Sequence, residues 1–475
     1  MWFRVFCILM AFALVGCGVG DDLPAEVDDL VPPDGKADTG YYSSLATELQ
    51  GRFYSVLELD VRDLNEEAQK DLLGEYQANT AELGRLVDSQ VKLAKHQLNR
   101  EKLHLNLTSD NLQVSEITLE DGILRIRYTV DADTLVTYKE LKEAGLDAEA
   151  LVDRKYYVKV AADPRDLLAR YGADCATGHN AGSLTDTNYF YYFDPDLPEC
   201  TAKLAPDALF EIRSLLPPSD AYPEYDRLVE DGKVEIAVIF GAAESGAVYG
   251  GDWGVMNWRT FEVNIRLRGF EKVEGLTVGQ RYMRKREGLV EIISLVSPFD
   301  LESVAPEGEA FFVELLRTHE ILIYNGHSFY GSLNVLDTRE NYPEDTYQIL
   351  FMNSCWSYEY YTKQVFKNKV TETDSSGWEL ADVVNNTTYA FFTQMETSTR
   401  ILVTNLLAGA ISGGRDDEGR RFTWQRIIGV LNDDARGVCP EGVVGADCRR
   451  YFPKEKHEMY GVSGVRTNTF VPTGL

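Results

Sequence analysis

Two residues suited to nucleophilic catalysis, a histidine and a cysteine, each follow a short apolar segment. His327 closes the segment Glu320-Ile-Leu-Ile-Tyr-Asn-Gly-His, and Cys355 closes Tyr347-Gln-Ile-Leu-Phe-Met-Asn-Ser-Cys. A thiol with a pKa near about 8.5 becomes a useful nucleophile when a neighbouring imidazole removes its proton. If the two segments are neighbouring strands that point the same way, both side chains emerge at one edge of a sheet. We therefore predict Cys355 as the nucleophile and His327 as the general base.

The same segments also offer groups that could stabilise an oxyanion. A tetrahedral intermediate needs backbone N–H donors, and those of Ser328 and Cys355 are the candidates. The alternative for a lone cysteine in an apolar segment is a buried, inert side chain. No Cys, His or carboxylate cluster in the sequence has the spacing of a zinc site or an EF-hand. We therefore predict no metal and no cofactor.

The elements that would position this pair lie in residues 221–475. Nearly continuous apolar runs alternate there with helix-like segments, which is typical of strands buried on both faces. The predicted strands are Val234–Phe240, Leu289–Val296, Glu320–Tyr324 and Gln348–Met352, and the predicted helices are Glu309–Leu316, Tyr358–Phe366 and Ile401–Ile411. This alternation predicts an α/β fold with a mostly parallel sheet and helices on both faces, whose ligand site lies at the carboxyl ends of the strands.

Residues 41–220 have a different pattern. Tyr54–Val61, Val114–Leu119 and Ile123–Val130 alternate with period two, and an Asp-Gly turn joins the last two, which predicts a hairpin. Glu66–Leu103 has apolar residues three and four apart, which predicts one or two amphipathic helices. We expect an α+β domain that carries no chemistry, either a pro-region or a binding module.

The first 40 residues predict export. Residues 1–16 combine one positive charge with an apolar stretch and end in Leu-Val-Gly before Cys17, which is typical of a signal peptide. The Leu-Val-Gly-Cys ending resembles the lipobox of bacterial lipoproteins, which implies that Cys17 is lipidated and anchors the chain to a membrane. The alternative is an ordinary secretory peptide cut elsewhere. Residues 17–40 are acidic and proline-containing, which predicts a disordered tether.

Export makes disulfides expected among the seven cysteines. Removal of Cys7 and lipidation of Cys17 leave five. Thiols that bracket short glycine-containing loops favour the pairs Cys175–Cys200 and Cys439–Cys448. Cys355 is then left unpaired, as a nucleophile requires.

The net charge argues against one class of partner. Lys and Arg number 47 against 76 Asp and Glu, which gives −29 at neutral pH. Nucleic-acid binding needs clustered positive charge, so we expect no nucleic-acid partner.

The two segments that end at His327 and Cys355 resemble the clan CD cysteine peptidases, the caspase-like group that includes gingipains, clostripain, legumain and caspases. The order His before Cys, the apolar strand before each residue and the glycine beside His327 carry the resemblance, which spans about Val234 to Leu431. It implies a caspase-like fold, a peptide or protein substrate, and cleavage after Arg, Lys, Asn or Asp. Ser328 stands where the family usually has glycine, and Asn353-Ser354 precede the nucleophile.

We therefore expect a lipid-anchored cysteine endopeptidase of the bacterial cell envelope, at the outer membrane or the cell surface. The rival from another class is a surface binding or structural lipoprotein that keeps the caspase-like scaffold while Cys355 is inert. The sequence indicates no oligomeric state.

Overall fold

The structure is a computed structural model that describes residues 41–78, 80–105, 110–177, 183–216, 221–304, 308–435 and 459–472. The predicted signal peptide, the tether, the lipidation site Cys17 and the pair Cys439–Cys448 lie outside the described residues. Within the described part of the chain, no helix is long and apolar enough to span a membrane.

The strands and helices are defined here in chain order. The strands are β1 Tyr41–Tyr42, β2 Ala46–Asp60, β3 His104–Leu105, β4 Asp110–Glu120, β5 Ile123–Thr137, β6 Lys155–Tyr157, β7 Leu209–Leu216, β8 Lys233–Phe240, β9 Glu271–Val273, β10 Gln280–Arg286, β11 Leu289–Val296, β12 Ile321–Asn325, β13 Gln348–Asn353, β14 Ala381–Asn386 and β15 Tyr460–Ser463. The helices are α1 Glu66–Ala78, α2 Thr80–Arg100, α3 Tyr138–Ala144, α4 Leu167–Tyr171, α5 Tyr189–Tyr192, α6 Tyr225–Leu228, α7 Trp253–Leu267, α8 Pro298–Val304, α9 Gly308–Thr318, α10 Ser357–Lys367, α11 Met395–Ser412 and α12 Trp424–Ala435.

The larger sheet has the strand order β1-β15-β14-β13-β12-β8-β11-β10-β9 among the described residues. Its five central strands, from β14 to β11, are parallel, and the strands at both sides pair antiparallel. This confirms the α/β class with a mostly parallel sheet. The predicted strands and helices of this region all occur, and the bounds of β11 match the predicted ones.

Burial explains why these strands read as continuous apolar runs. Every residue of β12, β13 and β14 is buried. Because successive side chains of a strand point to opposite faces, both faces of the sheet must be covered. Helix α7 contacts β8 and β11, α9 contacts β8, α10 contacts β13 and β14, and α12 contacts β15.

The second sheet is antiparallel, with the order β3-β5-β2-β7-β6 and with β4 paired to β5. The predicted β4–β5 hairpin is present, and the segment that was predicted to form one or two helices forms α1 and α2. One detail differs from the predicted division at residue 41. The short strand β1 pairs with β15 and so belongs to the larger sheet, because Tyr41 and Tyr42 take the free edge of that strand.

Helix α10 joins the two sheets and begins two residues after Cys355. Its Glu359 forms a buried ion pair with Lys95 of α2, and Oε1 of Glu359 lies 3.4 Å from His104 Nδ1. Lys363 lies 3.3 Å from Asp133 of β5. Because Glu359 and Lys363 are four residues apart, these contacts hold one face of the helix that follows the predicted nucleophile.

Candidate active site

His327 and Cys355 occupy equivalent positions on neighbouring strands. Strands β12 and β13 are parallel, and Asn325 is the register partner of Asn353. Each candidate residue lies two positions beyond its asparagine. The prediction that these two strands are adjacent and parallel is confirmed, and both residues lie at the carboxyl edge of the sheet.

A buried amide cluster fixes the ends of the two strands. Asn353 Nδ2 donates to Asn325 Oδ1 at 2.7 Å and to Ser398 Oγ at 3.0 Å. Thr399 Oγ1 donates to the same Asn325 oxygen at 2.9 Å. Because Ser398 and Thr399 belong to α11, this cluster ties the helix to the strand ends below the candidate pair.

The imidazole of His327 is held in one orientation. Nε2 lies 3.0 Å from the carbonyl oxygen of Ala243, in the loop after β8. A carbonyl oxygen only accepts, so Nε2 carries the proton of the neutral ring and Nδ1 is the basic nitrogen. The ring also packs against Phe392, with centroids 5.1 Å apart, and against Phe329 at 6.2 Å. A base oriented by a third group is what nucleophilic catalysis requires.

The loop that supplies this carbonyl is itself fixed by a buried carboxylate. Asp252 is the N-cap of α7 and accepts hydrogen bonds from the backbone N–H groups of Ala243, Glu244 and Gly254, at 2.7 to 3.1 Å. Gly254 permits the close approach, because a Cβ there would lie 1.9 Å from the carbonyl oxygen of Gly241. Sequence reasoning missed Asp252, although an Asp just before a helix is an N-cap signal.

The backbone of residue 327 is also engaged. The hydroxyl of Tyr324 donates to the carbonyl oxygen of His327 at 2.9 Å. Burial raises the pKa of this phenol, so the hydroxyl keeps its proton. Gly326 allows the turn between them, since a Cβ there would lie 2.6 Å from the same hydroxyl oxygen. Ser328, the predicted oxyanion donor, is buried, and its carbonyl oxygen accepts from Tyr361.

Cys355 differs from the sequence prediction in one respect. It is disulfide-bonded, so the prediction that it remains unpaired is wrong for this structure. Its side chain is 2% exposed, and its sulfur accepts a hydrogen bond from Ala390 N–H at 3.5 Å. Because a disulfide sulfur has no proton to lose, Cys355 becomes a nucleophile only after reduction.

The predicted pair Cys175–Cys200 is confirmed as a disulfide. The loop that it closes carries α5, whose Tyr191 reaches the candidate site. The ring of Tyr191 lies 5.8 Å from that of Trp356 and 5.7 Å from that of Tyr330. The sequence alone gives no signal for these contacts, because residues more than a hundred positions apart make them.

The two residues that Tyr191 contacts, Tyr330 and Trp356, have an unfavourable backbone conformation, and so does Phe329. Phe329, Tyr330 and Trp356 have φ values of 46°, 52° and 49°. The left-handed region costs a bulky side chain on the order of 1–3 kcal/mol, and such residues persist where their surroundings hold them. The strained residues lie within three positions of His327 and Cys355, and backbone strain of this kind is a common feature of functional sites.

A cavity of about 550 Å³ opens beside His327, between the ends of β8 and β12 and the helices α8 and α9. His327 lines it, whereas Cys355 is not among its lining residues.

Among the other histidines, His319 is a buried residue that follows α9, with Nε2 2.8 Å from Ser294 Oγ and Nδ1 3.1 Å from Leu315 O. Burial lowers the pKa of His319 to about 4. His179 and His457 lie outside the described residues.

The arrangement joins an oriented imidazole, a cysteine in equivalent register and a cavity beside the imidazole. In the described part of the chain, no group of three or more His, Cys, Asp or Glu side chains could hold a metal ion. Comparisons of the chain with protein-family models, with curated proteins and with solved structures found no match.

Proposed function

We propose that the chain is a caspase-like cysteine endopeptidase that acts through Cys355 and His327 and becomes active when Cys355 is reduced. One observation carries the proposal: the strand that leads to a histidine with a defined tautomer lies next to, parallel to and in register with the strand that leads to a cysteine. The carboxyl edge of a mostly parallel sheet is the usual place for a ligand site.

The chemistry begins with a thiol reductant that breaks the disulfide of Cys355 and leaves the sulfur protonated. Nδ1 of His327 takes that proton, and the thiolate attacks the carbonyl carbon of a peptide bond. The backbone N–H groups of Ser328 and Cys355 are the proposed donors to the oxyanion. His327 returns the proton to the leaving amine, and water then hydrolyses the thioester.

A second candidate function has an observation in its favour. Cys355 is buried, oxidised and next to an aromatic cluster that Tyr191 completes. A chain with these properties can serve as a surface binding or structural protein in which the disulfide only stabilises the fold. The two functions differ in what happens after reduction.

Labelling of Cys355 separates the two candidates. The full chain is treated with a mild thiol reductant and then with a thiol-directed peptidase inhibitor, and the modified residue is identified by peptide mapping. We expect modification of Cys355 and hydrolysis of peptide substrates, both lost in Cys355→Ala. His327→Ala should cost almost as much activity, because the two residues act as one unit. If the reduced protein, shown to be folded by circular dichroism, neither reacts nor hydrolyses peptides, the binding-protein function replaces the peptidase.

We also propose that Cys17 carries a lipid anchor that holds the chain at the cell envelope. The support is the Leu-Val-Gly-Cys sequence after an apolar stretch. Cys17→Ser should move the protein from the detergent phase to the aqueous phase in a partition experiment. Partitioning that survives the substitution would contradict the lipid anchor.

A further inference from the structure

The cavity beside His327 is lined mainly by apolar side chains. Ile239, Leu301, Phe312, Leu333 and Val335 contribute to it from four different segments of the chain. Its volume of about 550 Å³ is within the range of small-ligand sites, and a lining of this kind with a few polar groups is typical of them. The cavity therefore has room for a large side chain.

Aromatic residues are unusually exposed around the same cavity. Phe329 lines it and is 52% exposed, although its φ of 46° is unfavourable. Tyr249 is 48% exposed, and its hydroxyl donates to the carboxylate of Glu244, which also lines the cavity. Phe299, two residues before the lining residue Leu301, is 36% exposed. Exposed apolar residues grouped at a concave site mark a binding surface.

The charge of the lining decides which side chain fits. Among the described lining residues, Glu244 is the one carboxylate, and none is Lys or Arg. Glu244 is exposed and already accepts the hydrogen bond from Tyr249 at 2.9 Å. A carboxylate placed in the cavity would lose its water without gaining a cationic partner, which is costly. A guanidinium would have Glu244 alone as its counterion among the described lining residues.

We propose that this cavity binds a large apolar side chain of a peptide, of the size of Phe, Tyr or Leu, and places the adjoining peptide bond at His327. The assignment of this side chain to a substrate rests on the proposed peptidase function. It differs from the basic, acidic or amide residues that the family resemblance implies. The cavity binds the peptide whether or not Cys355 is reduced, because Cys355 does not line it.

Binding is measured on the oxidised full chain by calorimetry with three peptides, acetyl-Ala-Ala-Phe-amide and its analogues with Arg or Asp in place of Phe. We expect the Phe peptide to bind at least tenfold more tightly than either analogue. Ala242→Phe fills the cavity and should remove this preference. Ala247→Phe is the matched control, since it makes the same change in an exposed residue of the same loop that does not line the cavity.

If Ala242→Phe fails to fold, Ser332→Trp serves instead, because Ser332 is an exposed lining residue. Preferred binding of the Arg or Asp peptide would overturn the inference, as would a Phe preference that survives both filling variants. If filling removes the Phe preference but the reduced wild type hydrolyses none of the peptides, the binding site is supported and the peptidase function is rejected. If the reduced protein hydrolyses all three peptides at equal rates, the peptidase function is supported and the binding site is rejected.

Discussion

Single residues around His327 show how a backbone carbonyl group positions the imidazole. The hydrogen bond from Nε2 goes to a backbone carbonyl, that of Ala243, and the loop that carries this carbonyl depends on Asp252. Asp252 is 1% exposed and satisfies three backbone N–H groups. It is a positioning residue, which acts on His327 through the loop.

Asp252→Ala leaves those three N–H groups without an acceptor and should lower the free energy of unfolding by about 3 kcal/mol. Because the loop then loses its anchor, Nε2 of His327 should also lose its fixed partner. Urea unfolding measures the first effect, and the nitrogen chemical shifts of the His327 ring, which report the tautomer, measure the second.

Asp374→Ala is the control for this prediction. Asp374 also accepts backbone N–H bonds, from Ser376 and Glu379 at 2.8 Å, in the loop before β14. Its loss should destabilise the protein and leave the tautomer of His327 unchanged. Equal nitrogen shifts in the wild type and in Asp252→Ala would show that the loop does not position the ring.

At the scale of secondary-structure elements, α10 is the connection between the candidate site and the second sheet. The buried pair Lys95–Glu359 joins it to α2, and both side chains are at most 1% exposed. Burial lowers the pKa of Lys95, while Glu359 opposes that change. The hydroxyl of Tyr358 adds a hydrogen bond to Glu48 of β2 at 2.7 Å. These contacts make residues 41–216 part of the support of α10.

Removal of one charge of this ion pair should destabilise the protein much more than removal of both charges. Glu359→Gln leaves the charge of Lys95 buried without a counterion and should lower the free energy of unfolding by about 3–5 kcal/mol. The double variant Lys95→Met with Glu359→Gln should regain most of that loss, because no buried charge remains. Denaturant unfolding of the three proteins measures the difference.

The exposed pair Lys367–Asp337, with its atoms 3.1 Å apart, is the control on the same helix. Lys367→Met should change the free energy of unfolding by less than about 1 kcal/mol, because solvent screens exposed pairs. If Glu359→Gln costs no more than Lys367→Met, the buried pair does not hold the two sheets together.

At the scale of the whole molecule, Asp382 near the amino end of β14 accepts hydrogen bonds from three segments that are far apart in the sequence. Its Oδ2 accepts from Tyr347 at 2.6 Å, from the indole of Trp424 at 2.6 Å and from Asn468 at 2.7 Å. Burial raises the pKa of Asp382 from 3.8 to about 7, against the effect of these donors. The folded protein therefore keeps a proton on this carboxyl group at a pH where the unfolded chain has released it.

This proton gives a pH dependence with a defined sign. Below about pH 4 both states are protonated and the contribution of Asp382 is complete; it is lost as the pH rises from about 4 to 7. The stability of the wild type relative to Asp382→Asn should fall by up to about 4 kcal/mol over this range and then stay constant. Urea unfolding of both proteins at several pH values measures the difference in their free energies of unfolding. The contributions of groups that both proteins contain, such as His319, cancel in this difference.

Asp417→Asn, at an exposed position, removes the same formal charge and is the control. The change with pH in its stability relative to the wild type is the baseline for Asp382→Asn. A relative stability of Asp382→Asn that changes with pH no more than this baseline would show that Asp382 is ionised in the folded protein near neutral pH.

Local sequence was enough to predict four of the five central strands, β8, β11, β12 and β13, and the helices α9, α10 and α11, whereas the central strand β14 and the flanking helices α7 and α12 were not predicted. The run Leu289–Val296 corresponds to β11 residue for residue, and the predicted strands before His327 and Cys355 became β12 and β13. A nearly continuous apolar segment is stable in water only when both faces of its strand are covered. Burial of the strand on both faces therefore follows from composition. The structure shows that β12 and β13 are neighbours with a common direction, which places the two candidate residues at one edge.

Other features were decided by tertiary structure, because they depend on residues that are far apart in the chain. The contact of Tyr191 with Trp356, the role of Asp252 in holding Ala243, and the pairing of β1 with β15 need the complete fold. The bonding state of Cys355 belongs with them: spacing in the sequence favoured a free thiol, whereas a disulfide depends on which sulfur atoms folding brings together. Periodicity reports burial, and it carries no information on which distant partner provides it.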